Sequence, residues 1–294
     1  MAIIKVQKGT KDILPPEMPL WHFMETKANE VFTKFGAKEI RTPIFEATEL
    51  FARGVGDTTD IVNKEMYTFE KSERSLTLRP ENTAGVVRSF IENGMHRLAA
   101  PVKLWYKGPM FRYERPQAGR QRQFHQVGVE VFGIKQATAD AEVILMAVNY
   151  LKALGLNDLS VELNSLGCPE CREEFKKKLK SVIKPYLSEL CPDCQARYEK
   201  NPLRLLDCKV EECKEIYAKP EIQEVIQSDF ICEDCANHFN ELKGYLDALN
   251  INYSINKLLV RGLDYYNRTV FEIKSNNLGS QNAVCGGGRY DSLV

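Results

Sequence analysis

The chain has 294 residues, with 40 lysines and arginines against 40 aspartates and glutamates, so any nucleic-acid binding must rest on a local patch rather than on net charge. A hydrophobic fraction of 44% supports well-filled cores in one large domain or two modest ones. No apolar run approaches the roughly 20 residues of a membrane helix, and the opening MAIIKVQKGTKD lacks the apolar centre of a signal peptide, which implies a cytoplasmic protein with no membrane contact.

In chain order, Leu20, Phe23, Met24, Val31, Phe32 and Phe35 predict an amphipathic helix that stops at Gly36. KEIRTP follows as a short strand that meets Pro43, where ladder pairing ends. Residues 79–93, RPENTAGVVRSFIEN, predict a loop entering a helix with a stripe of Val86, Val87, Phe90 and Ile91, stopped by Gly94. Locally, Thr83 reads as an N-cap and Glu81 as a favourable charge at a helix start. Val102, Leu104 and Tyr106 alternate in the next strand. Residues 111–133, FRYERPQAGRQRQFHQVGVEVFG, then gather Arg112, Glu114, Arg115, Arg120 and Arg122 around a turn with Pro116 and Gly119, before Val127, Val129 and Val131 alternate with Gln126, Gly128 and Glu130. Two strands joined by an arginine-rich loop fit this pattern. The valine face is core, and an amide and a carboxylate flanking a glycine form a floor for a polar ligand. Planar guanidinium forks suit phosphate and carboxylate, although a solvated charged hairpin also fits the local pattern. Ala141, Ile144, Leu145, Val148 and Leu151 predict a helix ended by Gly155, and Leu159, Val161 and Leu163 alternate around Glu162.

From Gly167 the character changes. Eight of the nine cysteines lie between Cys168 and Cys235, as the pairs Cys168/Cys171, Cys191/Cys194, Cys208/Cys213 and Cys232/Cys235. In a cytosolic chain such pairs point to metal. Eight thiols suffice for two tetrahedral structural zinc sites, but spacing leaves open which pairs share an ion. Reduced buried cysteines are the alternative, whereas redox chemistry ordinarily uses one reactive pair. Charge-rich helical segments separate the pairs, and the KKKLK run at 176–180 is either a solvated helix face or a contact for RNA backbone. Strand signals return at 253–260 and 269–273. Within RGLDYYNRTVFE, Arg261 follows a strand and can clamp a carboxylate or phosphate, while Tyr265 and Tyr266 can hydrogen-bond a polar ring; an edge strand with aromatic packing also fits. The glycines of CGGGRYD, from Cys285, allow either close approach to a ligand or a tight turn, without the lysine and helix of a phosphate-binding loop. The order of elements predicts an α+β fold, an antiparallel sheet flanked by helices with an inserted, mostly helical cysteine-rich module.

These stretches together carry a family resemblance. Residues 111–133 resemble motif 2 of class II aminoacyl-tRNA synthetases. LVRGLDYYNRTVFE and GGGRYD are similar to the two histidine-specific motifs of the histidyl-tRNA synthetases, and KGTKDILP, RPENTAG and NPLRLLD match that family as well. The resemblance runs from about Gly9 to the last residue. It implies a class II synthetase-like catalytic domain in two parts, 1–166 and 251–294, around an inserted domain, 167–250, that lies near the tRNA acceptor stem. It also implies the reaction: with Mg2+, L-histidine attacks the α-phosphate of ATP to give histidyl-adenylate and pyrophosphate, and the histidyl group passes to the 3′ end of tRNA(His).

By resemblance, Arg112 holds the α-phosphate and the histidine carboxylate, Glu114 reads the adenine amino group, Phe124 stacks on adenine and Arg120 meets the outer phosphates. Arg261 sits against the α-phosphate and joins Arg112 as a catalytic residue, both also counted with histidine. Glu81, Thr83 and Gln126, with Asn82 in the same set, bind the histidine amino group. Glu130 and Tyr266 read the imidazole nitrogens, with Tyr265 beside them. Pro43 falls where motif 1 ends, which implies a homodimer. The chain ends shortly after GGGRYD, where the family continues into motif 3 and an anticodon-binding domain. The expectation is therefore a catalytic-domain fragment that binds histidine better than ATP and aminoacylates poorly. The non-catalytic relative that regulates ATP phosphoribosyltransferase shares the fold, but the presence of Arg112, Glu130, Arg261, Tyr265 and Tyr266 favours the synthetase.

Overall fold

The computed structural model describes residues 3–56, 59, 61–117, 119–275, 277–278 and 282–293. In order, the elements are α1 (Met18–Lys34), β1 (Lys38–Glu39), β2 (Phe45–Ala47), α2 (Thr48–Val55), β3 (Tyr67–Lys71), β4 (Arg74–Leu78), α3 (Thr83–Glu92), β5 (Val102–Phe111), β6 (Gln123–Phe132), α4 (Ala137–Ala153) and β7 (Leu159–Ser165). Helices α5 (Pro169–Ile183), α6 (Pro192–Lys200), α7 (Glu211–Tyr217), α8 (Pro220–Gln227) and α9 (Glu233–Ala248) follow, and then β8 (Tyr253–Ile255), β9 (Asn267–Ser275) and β10 (Ala283–Arg289). The chain forms two compact units: Met1–Lys135 with Glu142–Asn157 and Leu293–Val294, and Gln136–Ala141 with Asp158–Ser292. Among the described residues no helix is long and apolar enough to cross a membrane.

In the first unit β5 and β6 pair antiparallel from Val102↔Phe132 to Phe111↔Gln123, and β1 joins β5 in parallel. Register fixes the two faces. Trp105 opposes Val129, and Val127, Val129 and Val131 pack with Trp105 against Ala28 and Phe32 of α1 and Met146 of α4. Leu104 opposes Glu130 and Tyr106 opposes Gly128 on the other face. The valine face is therefore core, as its alternation predicts. A second, smaller sheet orders β2-β4-β3. The stripe predicted for α1 is only partly buried: Ala28 and Phe32 are in the core, whereas Leu20 and Phe23 are exposed. The first turns of the helix meet the sheet at its edge, through Trp21 with its ring centre 4.6 Å from that of His125 and Glu25 2.7 Å from Lys107, and Leu20 and Phe23 point away from it. Ile91 of α3 is likewise exposed while Val86, Val87 and Phe90 are buried.

In the second unit the sheet order is β10-β9-β7-β8, with β9 antiparallel to β7 and β10 and with β8 parallel to β7. Helices α5–α9 enter between β7 and β8, and the stretch from α5 to α8 has its own core of Phe175, Leu179, Ile183, Leu205, Ile222 and Ile226 with Cys194, Cys208 and Cys213. The strand expected over 253–260 ends at Ile255. Asn256 turns the chain there, its side-chain oxygen accepting from the Leu258 amide at 3.0 Å and its carbonyl from the Leu259 amide at 2.9 Å. Arg261 consequently sits in an irregular segment rather than directly after a strand.

Candidate active site

The polar face of the first unit centres on Glu130, which is buried in β6. Its Oε1 accepts from the Thr83 hydroxyl at 2.8 Å and from the Tyr106 hydroxyl at 3.3 Å. Gly128 makes this possible, because a β-carbon there would lie 2.4 Å from the Tyr106 hydroxyl oxygen. Thr83 is thus a partner of Glu130 and not the cap of α3. Glu81 supplies the cap, accepting from the Thr83 amide at 2.7 Å and the Ala84 amide at 2.9 Å. Burial pushes the Glu81 carboxyl above the usual carboxylate range, against the pull of those amides and of Arg112. Asn82 has its oxygen committed to the Thr42 hydroxyl at 2.6 Å and to Arg79 at 3.3 Å, and its Nδ2 is buried with no hydrogen-bond partner among the described residues. Gln126 lies on the same strand face as Glu130 and is half-buried.

Arg112 opens the loop between β5 and β6. Its Nε donates to the Pro80 carbonyl at 2.8 Å, and its guanidinium lies 5.2 Å from the Phe124 ring centre. Glu114 accepts from Arg120 at 3.1 Å and lies 3.8 Å from Arg112. The loop is tied to the chain start: the Arg122 amide donates to the Gly9 carbonyl at 2.7 Å, and Gly9 has φ 84° with no room for a side chain beside Arg122. This seat for KGTKDILP is a function of that stretch that its composition does not reveal.

In the second unit Arg261 donates from Nη1 to Glu272 at 2.7 Å. Gly286, opposite Glu272 in the β9–β10 ladder, lies under the guanidinium, since a β-carbon there would be 2.4 Å from Nη2. The glycines of GGGRYD are therefore strand residues permitting close approach, not a turn. A β-carbon on Gly288 would similarly lie 2.9 Å from the Tyr266 ring. Arg261 Nε is buried with no hydrogen-bond partner among the described residues. Tyr265 and Tyr266 are both buried, their ring centres 4.6 Å apart, with Tyr290 5.7 Å from Tyr265. The guanidinium offers fixed positive charge, and the tyrosines offer rings with polar tips.

Folding sorts the eight cysteines into two groups, Cys168, Cys171, Cys232 and Cys235, and Cys191, Cys194, Cys208 and Cys213, each with its sulfurs within 4.8 Å of one another. Four thiols at that spacing fit one tetrahedral ion of the zinc type. Burial pushes the Cys168 and Cys213 thiols up to about 11 and Cys235 up to about 12. All nine cysteines are free of disulfides.

A family model described as Histidyl-tRNA synthetase matches residues 9–170. The chain belongs to the histidyl-tRNA synthetase family. It is 55% identical to the histidine–tRNA ligase of Desulforamulus reducens over 288 residues, 98% of this chain and 68% of that protein. To the histidine–tRNA ligase of Caldanaerobacter subterraneus subsp. tengcongensis it is 54% identical, covering 99% of this chain and 69% of the relative. Among solved structures, apo Staphylococcus aureus histidyl-tRNA synthetase superposes with a TM-score of 0.77 at 40% identity, covering 99% of this chain and 67% of that one. An ATP phosphoribosyltransferase regulatory subunit/histidyl-tRNA synthetase from Bacillus halodurans shares the fold, with a TM-score of 0.70 at 23% identity, covering 100% of this chain and 78% of that one.

Within this histidyl-tRNA synthetase fold, several supporting residues escape a reading of the sequence. Tyr106 and Arg79 look like core strand and loop residues. Arg79 is buried, donating to the Pro109 carbonyl at 2.9 Å and the Thr42 carbonyl at 3.1 Å. Asp140, at the start of α4, takes Arg289 at 2.8 Å, His238 at 2.6 Å and the Thr269 hydroxyl at 2.8 Å, which anchors the arginine of GGGRYD. An acidic group inside an otherwise apolar helix pattern is the one signal for Asp140.

Proposed function

We propose that the chain performs the chemistry of histidine–tRNA ligation: activation of L-histidine by ATP, which enters with Mg2+, to histidyl-adenylate and pyrophosphate, then transfer of the histidyl group to the 3′ end of tRNA(His). The observation that carries this is the buried set Glu130, Thr83 and Glu81, with the half-buried Arg112, in a family member. It supplies acceptors for the ammonium and imidazole N–H groups of histidine and a guanidinium for a carboxylate or phosphate. Gln126 and Asn82 are assigned to the same amino acid, Asn82 on the strength of its unpartnered amide nitrogen. Glu114, Arg120 and Phe124 are assigned to ATP, with Phe124 supported by its exposure to the Arg112 guanidinium at 5.2 Å. Tyr265 and Tyr266 are assigned to the imidazole ring.

Arg261 is assigned to the α-phosphate, supported by its unpartnered Nε and by the bare glycine beneath it. Little covalent work falls to the protein. Histidine's carboxylate is the nucleophile, and fixed positive charge meets the negative charge that develops on the phosphoryl oxygens. The test is L-histidine-dependent ATP–pyrophosphate exchange. Arg261→Ala is expected to lower it about 10²–10³-fold with the fold kept. Unchanged exchange in Arg261→Ala would overturn its role, and a parent chain with neither exchange nor histidine binding would overturn the function.

The division into 1–166, 167–250 and 251–294 is proposed on the separate core of the helical module. Homodimerisation is proposed on the exposed Ile44, Phe45 and Phe69 beside Pro43. Structural Zn2+ is proposed for both four-cysteine groups, where it would hold helix ends together and supply no catalytic chemistry. A cytoplasmic location is proposed on the nature of the reaction.

A further inference from the structure

Three side chains of the cysteine module reach the irregular segment that carries Arg261, Tyr265 and Tyr266. Arg172, in the first turn of α5, donates from Nη1 to the Tyr266 carbonyl at 2.8 Å. Asn201, just after α6, donates to the Asp264 carboxylate at 2.6 Å. Arg204 donates from Nη1 to the Gly262 carbonyl at 3.0 Å. Asn201 and Arg204 are each 8% exposed, so these bonds form out of water, where a lost partner is costly. Residues 261–266 lie outside the strands and helices, and the Gly262 and Tyr266 carbonyls there accept from these side chains.

Each donor adjoins a four-cysteine group. Arg172 follows Cys171 directly, and Asn201 and Arg204 lie between Cys194 and Cys208. In the first group the Cys232 amide donates to Cys171 Sγ at 3.1 Å. Gly167, with φ 69°, packs against Cys171 so closely that a β-carbon would lie 2.5 Å from its Cβ, and its carbonyl accepts from the Arg268 amide at 2.8 Å next to β9. The second group lies in the module's core.

We infer that the two metal-holding groups form a positioning device for the histidine-binding segment, with Arg172 and Arg204 linking the metal-fixed helix ends to the backbone of 261–266 and Asn201 linking them to the Asp264 side chain. This rests on the proposed histidine role of that segment and on zinc in both groups. Bound there, zinc would hold the start of α5, preceded by Cys168, and the end of the 202–207 turn, followed by Cys208; the guanidinium groups fix Gly262 and Tyr266, and with them the direction of Arg261 and the two tyrosines. The prediction is a selective loss of amino-acid affinity.

The experiment measures zinc per chain by mass spectrometry and the Kd of L-histidine and of ATP by calorimetry, for the parent, Arg204→Met and Arg204→Lys. The parent should hold two zinc ions, one for each group. Arg204→Met should keep both, bind histidine about tenfold more weakly and leave ATP affinity unchanged, and Arg204→Lys should recover most of the loss. Should Arg204→Met not fold, Arg172→Gln carries the same expectation. Unchanged histidine affinity in a zinc-loaded variant overturns the positioning. A parent that binds histidine without zinc overturns the metal's part in it, and a parent that binds no histidine overturns the functional reading beneath it.

Discussion

At Gly286 a single hydrogen in place of a methyl group decides where the Arg261 guanidinium lies. A β-carbon would fall 2.4–2.6 Å from three atoms of the Arg261 guanidinium, and that end of the side chain is the part able to move. Gly286→Ala should therefore leave folding almost intact and mimic loss of Arg261. Histidine-dependent pyrophosphate exchange should fall about 10²-fold, with stability lowered by under about 1 kcal/mol; equal activity in parent and variant would show that the cation tolerates another position. A glycine run in a sequence announces close approach or a turn, and only the partner across the ladder distinguishes them. The same holds at Thr83. Its place before a helix suggests a cap, but the carboxylate two residues earlier takes the helix amides and frees the hydroxyl for Glu130.

Asp140 acts on whole elements. From the start of α4 it holds His238 of α9, Thr269 of β9 and Arg289 of β10. Burial opposes its ionisation, but His238, Arg289 and Thr269 together hold the carboxyl below its ordinary value of 3.8. A carboxyl depressed by folding stabilises the fold at pH above its unfolded value of about 3.9, and that contribution is lost as pH falls through the lower folded value. Asp140→Asn removes the buried counter-charge of Arg289 and leaves it the more exposed Asp291 carboxylate at 3.2 Å, which should cost about 3 kcal/mol near pH 7. Melting curves of parent and variant should converge as the pH drops below about 4; a constant gap would mean that the carboxylate's charge is not what holds these elements.

The whole molecule is two compact units, each with its own core. Eight thiols are confined to one of them. Chelating zinc should therefore lower one calorimetric transition by at least about 10 °C and leave the other in place. A trace that does not move, in protein carrying no metal beforehand, would leave the cysteines as packed thiols. The contiguous motifs were legible along the chain because their chemistry is local. An arginine-rich turn, alternating valines against Gln126 and Glu130, and a tyrosine pair after Arg261 each specify residue types at fixed spacing, and alternation alone assigns a strand face. Sequence by itself thus determined the family, the core face of β6 and the set of cysteines. Tertiary structure alone decided that Cys168 and Cys171 join Cys232 and Cys235, that Glu272 meets Arg261, and that Arg172 and Arg204 hold the backbone of 261–266 while Asn201 holds the Asp264 side chain. Such partners are brought together by chain reversals and core packing across intervening segments, and local spacing carries no record of that geometry.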